Sequence, residues 1–277
     1  MLKDITLGQF FPGKSFLHKI DPRTKIISAL LYIVAVFLCD SIMSFIILLV
    51  ATLILIAMSG VPIKIIVKGL KPLIFILAFT TIYNVFFYKG DTPPLVHWKF
   101  ITIYAEGLVF AVIMALRIIC LLAGSSVLMT YTTSPIMLTD GIERLLSPLN
   151  KIKAPVHEFA MMMSIALRFI PTLVEETDKI MSAQKARGAD FNSGGLIKRA
   201  RALIPVLVPL FISAFRRASD LAVAMECRCY RGGSGRTRMT KTRFGARDAF
   251  LFIAILLLGT AIVLSNIYSY YFPIWLT

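Results

Sequence analysis

Apolar residues run from Ile26 to Met58, broken by a polar pair at Asp40 and Ser41. One helix of that length would measure about 50 Å against a hydrocarbon core of about 30 Å, so the run predicts a hairpin of two short spans turning at Asp40. Further spans are predicted from about Leu73 to Tyr88, Ala105 to Tyr131 and Ala249 to Tyr270. The pattern gives an all-α integral membrane protein with about five transmembrane helices.

Between the fourth and fifth spans lies a long polar insertion with its own periodicity. Two apolar stretches, Phe159 to Ile170 and Ala202 to Ile212, are too short to cross a bilayer. Each opens a longer helical pattern: Pro155 to Ala186, about 45 Å, and Leu196 to Arg228, about 50 Å. In both, an apolar half is followed by a charged amphipathic half, which predicts two helices that begin at the inner membrane boundary and end in the cytoplasm. Ala214, Ala218 and Ala222 form a smooth stripe where the two are expected to cross. A shorter helix, about Ile136 to Leu145, sits between Pro135 and Pro148. The domains expected are an N-terminal arm (1–25), spans one to four (26–131), a coupling domain (132–247), and the last span with an external C-terminus (248–277).

Composition agrees: 57% of the 277 residues are hydrophobic. The net charge of +15 raises nucleic acid as a partner, but the position of the charge excludes it. With the N-terminus inside, twenty-seven basic residues outside the spans fall on the cytoplasmic face and two on the other, as the positive-inside rule requires. The four cysteines are too scattered for a disulfide framework. No apolar signal core precedes the first span, so a cleaved leader is not expected.

Gly8-Gln9-Phe10-Phe11-Pro12-Gly13-Lys14-Ser15 matches the phosphate-binding P-loop pattern. The context does not fit, because no buried strand has room to precede it and no α/β domain follows. The two long helices end in Gln184-Lys185-Ala186-Arg187-Gly188 and Glu226-Cys227-Arg228-Cys229-Tyr230, each with an arginine at an exposed tip. A single such arginine would be ordinary charge against the helix dipole. Two matching tips point instead to bidentate pairing with a partner's carboxylates. Cys227 and Cys229 could begin a metal site, but the further ligands that tetrahedral zinc needs are missing, and packing is the better reading.

These endings, the run Met225 to Gly233 with Gly235-Arg236-Thr237, and the N-terminal Pro12-Gly13-Lys14-Ser15 leading to His18-Lys19-Ile20-Asp21-Pro22-Arg23-Thr24-Lys25 resemble the transmembrane T component (EcfT) of energy-coupling factor transporters. The likeness covers nearly the whole chain. It implies a non-catalytic coupling subunit in the cell membrane, with two ABC-type ATPase subunits and a separate vitamin-binding S component as partners. The arginine-centred motifs would dock on the ATPases, carrying that role to Ala186, Arg187 and Gly188 and to Cys227, Arg228 and Cys229. The second motif departs from the family's Ala-Arg-Gly pattern by having a cysteine on each side of Arg228. The run from Glu226 to Gly233 with Arg236 resembles shared T components serving interchangeable S components, the alternative being one dedicated to cobalt, nickel or biotin. No cofactor, metal or catalytic residue is expected.

Arg117, alone within a span, has two readings: a contact to the S component or a pivot of the bundle, or a structural bond to Tyr83, Asn84 or a backbone carbonyl. Met161, Met162 and Met163, with Met137, Met181 and Met225, enrich the insertion in side chains that repack readily against varied partners. A secondary transporter would need intramembrane acids, broken helices or inverted repeats, and an enzyme would need a convergent polar cluster. Neither pattern is present.

Overall fold

A computed structural model describes residues 10–88, 96–98, 101–152, 155–191, 195–232 and 244–271. The elements in order are α1 (Pro22–Phe37), α2 (Ile42–Ser59), α3 (Ile63–Leu70), α4 (Ile74–Phe87), β1 (Val96–Trp98), β2 (Ile101–Ile103), α5 (Ala105–Ser125), α6 (Pro135–Leu146), α7 (Val156–Ala186), α8 (Leu196–Cys227) and α9 (Ala246–Tyr271). The two strands pair antiparallel, Val96 opposite Ile103 and Trp98 opposite Ile101. Helix dominates, and the chain is an all-α membrane protein apart from that hairpin.

The chain divides into two compact units, one of residues 8–141 and 242–277 and the other containing 142–241. In the first, α1, α2, α5 and α9 pack together, while α4 lies against α5. Pro22 opens α1 where its missing N–H costs nothing, and the Asp21 carboxylate accepts from Arg23 N at 3.0 Å. Deeper in the bundle the Tyr32 hydroxyl donates to the Cys120 carbonyl (2.9 Å) and pairs with Thr52 Oγ1 (2.8 Å). This close approach depends on Gly124, because a Cβ there would lie 2.4 Å from the Tyr32 ring. The α5 helix ends in a π-helical stretch, Ser126–Tyr131. Its end is held by other segments: Phe11 N donates to Tyr131 O (3.0 Å), and just beyond it buried Lys25 Nζ donates to the Thr132 carbonyl (2.8 Å) and to the Thr133 hydroxyl (3.0 Å). Asp248, also buried, accepts from Asp21 N and Gly245 N, each at 2.7 Å, which ties the start of α9 to the start of α1.

The segment from Ser59 to Pro72, which falls between two predicted spans, is largely helical. Ile63, Ile66, Val67 and Leu70 recur at helical spacing on α3, but eight residues between two prolines give too short a periodic signal to stand out. Among the described residues, five helical stretches are long and apolar enough to cross a membrane: Ile42–Ser59, Ile63–Phe87, Ala105–Tyr131, Ile197–Cys227 and Ala246–Ser269. Four coincide with predicted spans. The fifth place goes to α8 rather than to α1, whose 16 residues reach only about 24 Å. Both carry an uncharged stretch of similar length, that of α1 running from Ile26 to its end at Phe37. Between Arg201 and Arg216, α8 carries an uncharged stretch of 14 residues, about 21 Å, with Lys198 and Arg199 before it and Arg217 and Asp220 after it.

Candidate functional site

Helices α7 and α8 form the body of the second unit. Their direction follows from two contacts. Glu176 Oε2 accepts from Arg217 Nη2 at 2.7 Å, and Gln184 Nε2 donates to the Pro205 carbonyl at 3.4 Å. As position rises along α7 it falls along α8, so the pair is antiparallel. The two helices were expected to cross, and these contacts give the crossing its opposite polarity, a relation that the periodicity of each helix alone does not contain.

Each contact has a local cause. Pro209 has no N–H, so the Pro205 carbonyl four residues earlier lacks its helical donor, and Gln184 supplies one. Glu176 sits where Arg217 can reach it while Arg217 Nε donates to Ser213 Oγ (3.4 Å). The Ser213 hydroxyl, followed by the Arg217 charge, holds the Glu176 carboxyl below its ordinary range. Ala214, Ala218 and Ala222 do face α7, yet they line an open apolar groove of about 240 Å³ with Ile165, Phe169 and Leu173. Neither the Glu176–Arg217 nor the Gln184–Pro205 contact was legible in the residues alone, because the two partners of each lie on separate helices.

The two predicted tips share one backbone design. At the end of α7, Gly188 N donates to Lys185 O (2.9 Å) and Ala189 N to Gln184 O (3.0 Å). At the end of α8, Cys229 N donates to Glu226 O (2.8 Å) and Tyr230 N to Met225 O (3.0 Å). These are the same pair of bonds, the Schellman turn, and in each the residue after the arginine is left-handed: Gly188 at φ 86° and Cys229 at φ 55°. Ala186, Arg187 and Gly188 correspond position by position to Cys227, Arg228 and Cys229, and all six are exposed. Antiparallel packing puts the tips at opposite ends of the pair, roughly 40 Å apart by helical rise. Each offers a guanidinium on a fixed turn, suited to a carboxylate held by another protein.

Arg117 lies elsewhere, in the first unit. Its Nη2 donates to the Cys39 carbonyl (2.5 Å), lies 4.0 Å from Asp40 Oδ1, and its guanidinium stands 5.1 Å from the centre of the Phe45 ring. It therefore braces the turn between α1 and α2 through a backbone carbonyl, and the named candidates Tyr83 and Asn84 are not its partners in these contacts. On the other side of that turn Asn266 Nδ2 donates to Leu38 O (2.5 Å).

Of the P-loop pattern, Gly8 and Gln9 lie outside the described residues. The rest folds around His18, which pairs with Ser15 Oγ (2.7 Å) and the Phe11 carbonyl (2.8 Å), and a Cβ on Gly13 would lie 2.7 Å from the His18 ring. Only a three-residue helical turn, Leu17–Lys19, follows Ser15, where a phosphate site needs a helix of several turns. Among the described residues no group of three or more His, Cys, Asp or Glu side chains could hold a metal ion.

Residues 13–239 match the family described as Cobalt transport protein, CbiQ. The chain is 55% identical over 268 residues to the energy-coupling factor transporter transmembrane protein EcfT of Clostridium kluyveri, covering 97% of this chain and 99% of that one. It is 44% identical to the protein of the same name from Bacillus subtilis, over 94% of this chain and 97% of the relative. For Lactococcus lactis subsp. cremoris the identity is 41%, over 95% and 98% respectively.

Proposed function

The chain belongs to the CbiQ family, together with the energy-coupling factor transporter transmembrane proteins EcfT, and from that premise we propose that it couples ATPase motion to an S component. It is a multi-pass membrane protein. In this reading the N-terminal arm and the insertion lie in the cytoplasm, because a single assignment puts nearly all the basic residues outside the spans on one face. Each of two ABC-type ATPases takes one tip, Ala186-Arg187-Gly188 or Cys227-Arg228-Cys229. The chain itself needs no catalytic residue.

The observation that carries this is the repeated Schellman turn at the two ends of an antiparallel pair. Two equivalent docks roughly 40 Å apart suit two similar motors side by side, whereas adjacent tips would suit one. When nucleotide binding draws the motors together, the tips must follow, and the angle between α7 and α8 changes around the Glu176–Arg217 contact. The apolar first halves of the helices, with Phe159, Met162, Leu207 and Phe211 exposed, then shift against the S component. The methionines favour repacking against several such partners, in keeping with a shared T component.

A second reading is favoured by the family's description, that of a component dedicated to cobalt uptake. Uptake of labelled cobalt and of labelled vitamins by the assembled transporter separates the two.

The docking test is charge reversal. Arg187→Glu and Arg228→Glu should each weaken capture of the ATPase pair about 10- to 100-fold, as expected for loss of a charged hydrogen bond worth ~1.5–3 kcal/mol, with membrane insertion unchanged. Normal assembly and uptake by both variants would overturn the docking role.

A further inference from the structure

Cys229 is the only non-glycine residue with positive φ among the described residues, and it occupies the position that glycine fills at the other tip. A left-handed conformation costs a residue with a Cβ free energy that glycine does not pay. The corresponding Gly188 shows that the turn itself has no need of a thiol. Two positions earlier stands a second cysteine, Cys227, also exposed, where the first tip has Ala186. The remaining cysteines, Cys39 and Cys120, are buried in the other unit. Both accessible thiols thus flank the docking arginine, with Arg228 between them and exposed Arg231 following. Those charges attract an anionic reagent.

We propose that Cys227 and Cys229 form a reversible dithiol–disulfide switch, whose oxidation by a low-molecular-weight disulfide disables the second docking tip. This rests on the docking role of Arg228 and adds a means of control to it. The chemistry is thiol–disulfide exchange. One cysteine thiolate attacks the small disulfide, forming a mixed disulfide and expelling one thiolate. The neighbouring thiolate then attacks the protein sulfur of that mixed disulfide and expels the second. The protein dithiol loses two electrons and two protons, and the reagent leaves as two thiols.

Helical geometry places Cα atoms two residues apart at about 5.4 Å, inside the 4.4–6.8 Å window that disulfides span. Their Cβ bonds, however, diverge around the helix, so the bridge cannot close on the turn as it stands. The bonds from Cys229 N to Glu226 O and from Tyr230 N to Met225 O must give way. Arg228, held between the bridged residues, then leaves the place matched by Arg187. Docking requires the turn and oxidation requires its loss, so each excludes the other. The first tip has no cysteine, and oxidation would leave it engaged.

The test uses the full-length chain in lipid nanodiscs and the purified ABC-type ATPase pair. After treatment with glutathione disulfide, the peptide carrying residues 227–229 should be lighter by two hydrogens, ATPase affinity should fall about tenfold or more, and dithiothreitol should restore it. In the double variant Cys227→Ala/Cys229→Gly, which carries no thiol at this tip, the ratio of reduced to oxidised affinity should drop to one, whatever that variant's own reduced affinity. Pre-bound ATPases should protect both thiols from the reagent. A bridged peptide with unaltered ATPase affinity would overturn the switch, as would a stable glutathione adduct with no bridge. Normal binding by Arg228→Glu would instead overturn the docking reading beneath it, so the two failures are distinguishable.

Discussion

Glu176 illustrates how one side chain can govern a pair of helices. Its carboxylate accepts from Arg217 at 2.7 Å, and the Ser213 hydroxyl and then the arginine hold it below the ordinary carboxylate value of 4.5. A carboxyl lowered in the folded state stabilises above its unfolded value and loses that contribution as pH falls through the folded one. The α7–α8 contact should therefore be intact at neutral pH and weaken below about pH 4.5. Hydrogen exchange of amides near Ser213, followed against pH, should show that step, and Glu176→Gln should remove it by weakening the contact at every pH. Arg117 makes the complementary case in the membrane unit. A lone charge in a span is settled by a backbone carbonyl left open at a turn, without a buried acid of its own.

Packing between elements depends on a few close approaches. Gly124 admits the Tyr32 ring between α1 and α5, and the ring's hydroxyl joins Thr52 of α2 to the Cys120 carbonyl of α5. Gly124→Ala should therefore cost about 1–3 kcal/mol, as overpacked cores do, read as a lower melting temperature in detergent. In the background Tyr32→Leu, which removes the ring, the same substitution should cost markedly less, and an unchanged cost would mean that the contact does not govern this interface. Between α7 and α8 the limiting features are different. Pro209 frees a carbonyl that Gln184 takes up, and the alanine stripe leaves a groove where close contact was expected. A pair fastened by two polar contacts around an open groove can change its angle with little disruption of packing.

For the molecule as a whole, the distribution of charge makes a claim about topology that thiol chemistry can check. With the insertion in the cytoplasm, a membrane-impermeant maleimide should not reach Cys227 or Cys229 in intact cells and should label them after lysis, since both are exposed. Asp40→Cys, at the highly exposed turn between α1 and α2, should be labelled in intact cells. The opposite pattern would invert the proposed orientation and remove the ATPases from reach of both tips.

Helix limits were legible in the residues because they depend on local chemistry. The ends of α7 and α8 fall within a residue of those predicted, where Gly188 and the Asn192 to Gly195 cluster interrupt the apolar period, and the turn at Asp40 follows from the length a bilayer permits. The arginine at each tip was equally plain, since tip and turn belong to one short segment. Relations between segments distant in the chain were not legible. The antiparallel sense of α7 and α8, the brace from Arg117 to Cys39 and the clasp of Lys25 on Thr132 and Thr133 each join residues tens of positions apart. Periodicity reports which face of a helix is apolar, but the partner and direction that satisfy that face are fixed only when the whole chain competes for the same buried surface and hydrogen bonds.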